Sequence, residues 1–411
     1  MEAVSTNDLV LGIDFGTTAV KVALTRVHDN TELTSISQSH RSVVHNLPSS
    51  HHEQNVADPD FSPCGHLITW MDQRCDQAFI DSLPTSPSPV HAGYGCASLA
   101  WLQRYGDKSA NDYDSVGTIM DFFVAKLCHL VTPVISTQNA YSWGYANVDK
   151  LAWDLDSLDQ CGVRASALPH IVQPDAIAGQ VAIDFHSIPR GTPVFVANGD
   201  FQATYRAHCR PNTAVLHIGT SAQLSFDVAQ RFTAPKSVDF VPYTTDRHIA
   251  GAASMNGGNV IEWFVSVLHS WCCELGLDSN KHQIWQRIES IMDRTDIESD
   301  IRITGVLHPE RHDPITQGLN IANVTVDGFA LAPVLRALCA SVIENLDQML
   351  PVELMKHHEI NQLLLVGQAT RPMFSHVINA AYKGKLDVVN EPNRTAAHGV
   401  AIQVAQQMLL K

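Results

Sequence analysis

The sequence predicts an α/β protein made of two related halves. Apolar runs of strand length alternate with stretches in which apolar residues fall at helical spacing, the pattern of an α/β fold. A segment also repeats. Ile13-Asp14-Phe15-Gly16-Thr17-Thr18-Ala19 lies over Leu216-His217-Ile218-Gly219-Thr220-Ser221-Ala222 about half a chain away, each reading as strand, glycine-hydroxyl-hydroxyl turn, strand. The 411 residues are enough for two or three domains at roughly 100–200 residues each.

In chain order, Leu9 to Asp14 is an apolar strand, Ala19 to Leu24 its hairpin partner, and Glu32 to Val44 a third strand. His45 to Gly65 is polar and rich in Pro, Ser and His, and reads as loop. Helical patterning with Pro and Gly breaks runs from His66 to about Val131, and Ser136 to Asn147 reads as a loop lining a site. Pro193 to Ala197 is a strand ending in Asn198-Gly199-Asp200, with a helix from about Gln202 to His208. Thr213 to Ile218, Ala222 to Phe226 and Ile249 to Ser254 are strands, and Asn256-Gly257-Gly258-Asn259 opens a helix running to about Leu275. Leu331, Val334, Leu335, Leu338, Val342, Leu346 and Met349 mark one helical face. Gln362 to Val366 is a buried-type strand stopped by Gly367, and Thr395 to Leu410 is a helix.

The formal net charge is −15, with no Lys/Arg cluster, which argues against a nucleic-acid or anionic-membrane partner. At 45% hydrophobic and 17% charged the chain is not disordered, and no apolar run reaches the ~18 residues of a membrane helix. No secretory signal is visible in Met1 to Asp8. The nine cysteines are scattered without a C-x-x-C, so a reduced, cytoplasmic protein is expected. Cys272 and Cys273 read as core packing, and the pairs His51-His52 and His357-His358 as solvated surface rather than metal ligands. Oligomeric state is not written in the sequence.

The paired turns suit phosphate. Glycine lets backbone N–H groups approach an anion, and threonine or serine hydroxyls add donors, so Gly16, Thr17, Thr18, Gly219, Thr220 and Ser221 are candidate phosphate-binding residues. Taken singly, such a turn is more often only a tight turn; two in register make the argument. Asp14 ends the first strand and is the candidate Mg²⁺ ligand, directly or through water; His217 replaces it in the second half. There is no P-loop motif, and Gly93-Tyr94-Gly95-Cys96-Ala97-Ser98 follows no convincing strand, so a dinucleotide fold is not expected. Asp200 follows a strand and opens a helix, where a carboxylate either takes a proton from a substrate hydroxyl or caps the helix.

These residues resemble the FGGY carbohydrate kinases of the actin, Hsp70 and sugar kinase superfamily. Asp14 to Thr18 and Gly219 to Ser221 are similar to that family's two phosphate motifs, Asn198 to Ala203 to the segment bearing its catalytic aspartate, and Trp70-Met71-Asp72-Gln73-Arg74 to its W-x-D-x-R. Longer stretches, His66 to Cys75, Gly93 to Leu102, Gly117 to Asp121, Gln138 to Asn147 and Ala252 to Val260, resemble the branch that phosphorylates the ketose sedoheptulose. The resemblance implies two RNase H-like domains around a central cleft. Residues 1–210 would form the sugar-binding domain and 211–411 the nucleotide-binding domain. It implies ATP and Mg²⁺ as cofactors, Asp200 as general base, Trp70 beside the sugar, Gly367 near adenosine, and sedoheptulose 7-phosphate and ADP as products.

The sequence also departs from the family. The three-strand unit should be followed by a helix and a central parallel strand ending in an S-G-Q-M-H-G-like sugar motif. Such a unit needs on the order of 30 residues. The segment around 45–66 is too short, although Glu53-Gln54-Asn55-Val56 resembles the start of that helix. An internal deletion, from splicing or an imperfect gene model, is the expectation. Val366-Gly367-Gln368-Ala369 keeps one glycine where the family has two or three, and Thr137 stands where the family often has Asp. Three alternatives stay open: an impaired nucleotide-binding pseudo-kinase, a kinase for another ketose or polyol (xylulose, ribulose, glycerol), and a sugar-free ATPase. Trp70 to Arg74 and Gln138 to Asn147 speak against the last.

Overall fold

The computed structural model describes residues 8–16, 19–39, 42, 44, 47–54, 67–107, 109–293, 300–313, 315–326, 328–391 and 394–410. These fall into two compact units: 1–207 with 241–247 and 394–411, and 208–240 with 248–393. The C-terminal segment, expected in the second domain, groups with the first.

The first unit opens with β1 (Leu9–Phe15), β2 (Ala19–Arg26) and β3 (Glu32–Ser39), an antiparallel sheet in that order. The third strand stops short of the expected Val44. Alternation sends Gly12, Ala23 and Thr25 to one face and Leu11, Ile13, Val22, Leu24 and Ile36 to the other. The first face is covered by the C-terminal helix α12 (Ala396–Leu410), and Ala23 and Thr25 are fully buried. The second face is half open: Leu9 is 48%, Leu11 42% and Ile36 68% exposed.

β4 (Glu53–Gln54) pairs with β5 (Leu67–Ile68), so Glu53 and Gln54 are strand and not the start of a helix. Asn55 to His66, which hold most of the expected deletion site, lie outside the described residues. The long helical stretch expected after them is three helices, α1 (Gln77–Asp81), α2 (Gly95–Tyr105) and α3 (Ile119–Cys128). β6 (Val134–Ser136) leads into α4 (Thr137–Tyr141), a short helix where a loop was expected, because Ser136 Oγ accepts from Asn139 N and caps it. Then come β7 (Ala146–Asn147), β8 (Ala152–Trp153), α5 (Leu155–Gln160), β9 (His170–Val172), which runs parallel to β6, β10 (Ile177–Gln180), β11 (Pro193–Phe195) and α6 (Asp200–His208).

Asp121 in α3 closes a capping box: its N–H donates to Thr118 Oγ1 and its Oδ2 accepts from Thr118 N, while Oδ1 is buried with no partner among the described residues. Burial pushes this carboxyl up to about 7 from 3.8, against the lowering effect of the Thr118 hydrogen bonds. Between those values the unfolded chain releases a proton that the folded chain keeps. This group therefore favours the fold fully at low pH, and its contribution falls as pH rises through about 7. Asp121→Asn keeps an acceptor for Thr118 N, so urea unfolding at pH 5 and pH 8 should show a smaller loss of stability in the variant than in the wild type. An unchanged loss would contradict the assignment.

The second unit is built on a six-stranded sheet. Its strands are β12 (Thr213–Ile218), β13 (Ala222–Val228), β14 (Asp239–Pro242), β15 (His248–Ser254), β18 (Gln362–Gly367) and β19 (Asp387–Asn390), in the order β14-β15-β13-β12-β18-β19. Its helices are α7 (Gly258–Glu274), α8 (Lys281–Met292), α9 (Leu331–Met349), α10 (Val352–His357) and α11 (Pro372–Tyr382), with a hairpin of β16 (Arg302–Val306) and β17 (Gly318–Ala322). β12 pairs antiparallel with β13 and parallel with β18. Ala214, Leu216 and Ile218, the counterparts of Leu11, Ile13 and Phe15, are fully buried in one core with Leu335, Leu338 and Val342 of α9. Among the described residues, β1 has no strand on its other edge. No helix of the described residues is long and apolar enough to cross a membrane.

Candidate active site

The first unit brings two carboxylates into one field. Asp14 sits on β1 directly opposite Lys21 of β2, and Lys21 Nζ lies 3.4 Å from its Oδ2. The Asp14 side chain is 12% exposed. Its burial raises its pKa above the ordinary value, Lys21 pulls it down, and the charge of Asp200 raises it again. The hairpin turn is closed by Gly16 N donating to Ala19 O at 3.0 Å; Thr17 and Thr18 lie outside the described residues.

Asp200 is the first residue of α6 and is exposed. Its Oδ1 accepts from the adjacent Phe201 N at 2.7 Å, not from the second or third helical N–H of a side-chain cap. No other protein group among the described residues hydrogen-bonds it. The turn before it is held from α4: Gln138 Oε1 accepts from Gly199 N at 3.0 Å, and Asn139 Nδ2 donates to Ala197 O at 3.2 Å. Asn198 Nδ2 donates to Pro174 O.

The C-terminal helix sets both carboxylate-bearing elements. A Cβ at Gly12 would stand 1.8 Å from Ala397 O, and one at Gly399 1.8 Å from Ala203 O of α6. Two glycines thus let α12 seat closely against β1 and against α6. Gln403 Nε2 adds a bond to Pro174 O at 2.8 Å, the same carbonyl that holds Asn198. Gly399→Ala should force α6 away and lower stability by about 1–3 kcal/mol, read as a lower Tm. A variant as stable as the wild type would show that this contact yields freely.

Trp70 is exposed, at the turn after β5, with its carbonyl packed on Gly93. The rest of its motif is structural. Arg74 donates through Nε to Asp72 Oδ1 at 2.8 Å and through Nη2 to Glu53 Oε1 at 2.6 Å, and its guanidinium lies over Trp101. Asp72 Oδ2 also accepts from His52 N at 2.7 Å, so this buried ion cluster pins the chain on both sides of residues 55–66.

In the second unit the repeat turn meets the start of α7. Gly258 N donates to Gly219 O and Asn259 N to Thr220 O, each at 3.0 Å. A Cβ at Gly257 would stand 2.4 Å from the Ser221 carbonyl carbon. The N–H and hydroxyl groups of Thr220 and Ser221 donate to no protein acceptor among the described residues, which leaves a cluster of donors suited to an anion. Gly367 has φ 67°, ends β18 beside Ile218 O, and the Gln368 amide fills the space over Gly258.

Sequence reasoning missed three supports. Lys21 was hidden in an ordinary strand pattern, though its register opposite Asp14 follows from the hairpin. Gln138 lies in the stretch expected to line a site, but nothing local marks its partners Gly199 and Tyr243. Glu310, 3% exposed, accepts from Ser254 Oγ, Asn256 Nδ2, Asn345 Nδ2 and Met255 N, and so fixes the turn that opens α7.

Among the described residues no group of three or more His, Cys, Asp or Glu side chains is placed to hold a metal. A protein-only cage is therefore not the fit. A single buried carboxylate with a second one nearby suits Mg²⁺, which keeps water and phosphate ligands.

The family description "FGGY family of carbohydrate kinases, N-terminal domain" matches residues 47–205. Human sedoheptulokinase is 36% identical over 323 residues, 76% of this chain and 67% of that protein. Mouse sedoheptulokinase is 36% identical over 314 residues, 74% of this chain and 65% of that protein. The chain thus spans about two thirds of the length of these curated relatives. A ligand-bound xylulose kinase from Lactobacillus acidophilus shares the fold with a TM-score of 0.74 at 17% identity, covering 98% of this chain and 89% of that one. The fold is the two-domain RNase H-like architecture of the sugar kinases, and the chain belongs to the FGGY family of carbohydrate kinases.

Proposed function

We propose that this protein transfers the γ-phosphoryl group of ATP to the terminal hydroxyl of sedoheptulose, giving sedoheptulose 7-phosphate and ADP. The observation that carries the reading is Asp200: an exposed carboxylate at a helix start, gripped on one oxygen by Phe201 N and influencing the buried Asp14. A carboxylate so placed accepts the hydroxyl proton while the oxygen bonds to the γ-phosphorus. The bond from phosphorus to the bridging oxygen then breaks and ADP leaves with the electron pair.

Asp14 would hold Mg²⁺ through water, and that ion would neutralise charge on the ATP phosphates. We assign Lys21, Gly16, Thr17 and Thr18 of the first turn, and Gly219, Thr220 and Ser221 of the second, to phosphate oxygens. Gly367 is assigned to the adenosine side and Trp70 to the sugar. The sugar identity draws on the two sedoheptulokinases to which the chain is similar.

Mg-ATP-dependent ADP release measured with sedoheptulose, xylulose, ribulose and glycerol tests this. The highest kcat/KM is expected for sedoheptulose; a higher value for another acceptor would reassign the substrate. A second reading, a nucleotide-binding protein without phosphoryl transfer, is favoured by one observation: the open apolar face of β1–β3. ATP-dependent thermal protection without ADP release on any acceptor would select it.

A further inference from the structure

Gln138 is 1% exposed and makes two bonds that need opposite ends of its amide. Nε2 donates to Tyr243 O at 2.7 Å, and Oε1 accepts from Gly199 N at 3.0 Å. The first partner is 105 residues away and the second 61. An amide serves both without taking up a proton: the carbonyl end faces an N–H and the NH₂ end a C=O. Gln202 of α6 repeats the clamp one turn on, its Nε2 donating to Pro242 O at 3.1 Å. The Gln202 side chain also packs close on Gly199, where a Cβ would lie 2.2 Å from Gln202 Oε1.

We infer that Gln138 is a positioning residue for Asp200, fixing the Gly199 peptide that precedes it and so the direction of the carboxylate. This rests on the kinase reading. Polar and charged groups on the elements that the amide joins include Asp200, one residue beyond Gly199, Gln202 and Asn139, whose side-chain oxygens lie near Gly199, and Tyr205 and Arg206 of α6, which pack on the Tyr243 ring at 5.4 and 4.3 Å. Asp14 and Lys21 stand beyond Asp200. None of these can replace a donor to Tyr243 O from the position of Gln138.

The test uses two variants. In Gln138→Glu the carboxylate still accepts from Gly199 N but turns an acceptor toward Tyr243 O; only the protonated form donates. Its kcat relative to wild type should therefore rise about tenfold per unit as pH is lowered toward the pKa of the new carboxyl, with KM values for ATP and sugar changed less than threefold. Gln138→Leu, similar in size and without either bond, should lose kcat by roughly 10- to 100-fold at every pH. A flat ratio for the glutamate variant, or wild-type kcat in the leucine variant, overturns the inference. A wild type that releases no sugar-dependent ADP overturns the kinase reading instead. Amide exchange then decides the role of Gln138: faster exchange confined to 199–203 in Gln138→Leu supports it, and unchanged exchange there refutes it.

Discussion

Asp200→Asn is expected to lower turnover by about 10²- to 10⁴-fold while leaving the fold intact. The amide still accepts from Phe201 N, so residue 200 keeps its side-chain bond at the start of α6. The lost property is basicity. An amide does not take up the proton of the sugar hydroxyl, so the oxygen must attack without that help. The loss should fall on kcat, because a general base acts in the transition state more than in the bound complex. The Asp14 carboxyl should respond as well: removing the neighbouring charge removes one of the influences that raise it. Thermal protection by Mg-ATP should therefore survive in the variant. Steady-state kinetics together with a melt in the presence of nucleotide check both parts, and unchanged kcat would remove Asp200 from the chemistry.

The second large effect concerns the two halves of the repeat. β12 lies between β13 and β18, with Ala214, Leu216 and Ile218 sealed from water. β1, its counterpart, pairs only with β2 among the described residues, and Leu9 and Leu11 remain open beside Ile36. Covering such a side chain fully is worth about 1.5–3 kcal/mol, so three half-open ones amount to several kcal/mol of missing stabilisation. Every 1.4 kcal/mol is roughly a factor of ten. Amide exchange should be at least about 100-fold faster in β1 than in β12, because β1 opens at a lower cost. A helix–strand segment inserted after β3, with an apolar stripe on the helix and an apolar parallel strand, should raise protection of β1 and the Tm together. Equal protection of β1 and β12 in the present chain would contradict this picture.

What the sequence made legible is local. The strand–turn–strand repeat, the Gly257-Gly258 start of α7 and the face of α9 from Leu331 to Met349 all follow from periodicity and turn chemistry within about 20 residues. Asp200 was visible for the same reason, as a carboxylate between a strand and a helix. The supports of the site were not. Gln138 reaches Gly199 and Tyr243 across the chain, and Gly399 meets Ala203 across nearly two hundred residues. Periodicity marks which face of α12 is apolar but not which unit that face covers, so the helix was expected in the wrong half. α4 was read as loop because its five residues are too few for a helical period and its Asn, Ser and aromatic neighbours resemble turn chemistry.

The most direct test of the central claim is product formation by the purified chain: ADP and phosphorylated heptulose measured in parallel from Mg-ATP and sedoheptulose, for wild type and Asp200→Asn. The account predicts the two products in equal amounts, dependent on the sugar, and at least 100-fold less of both from the variant. ADP released without sugar, or equal product from both proteins, would contradict it.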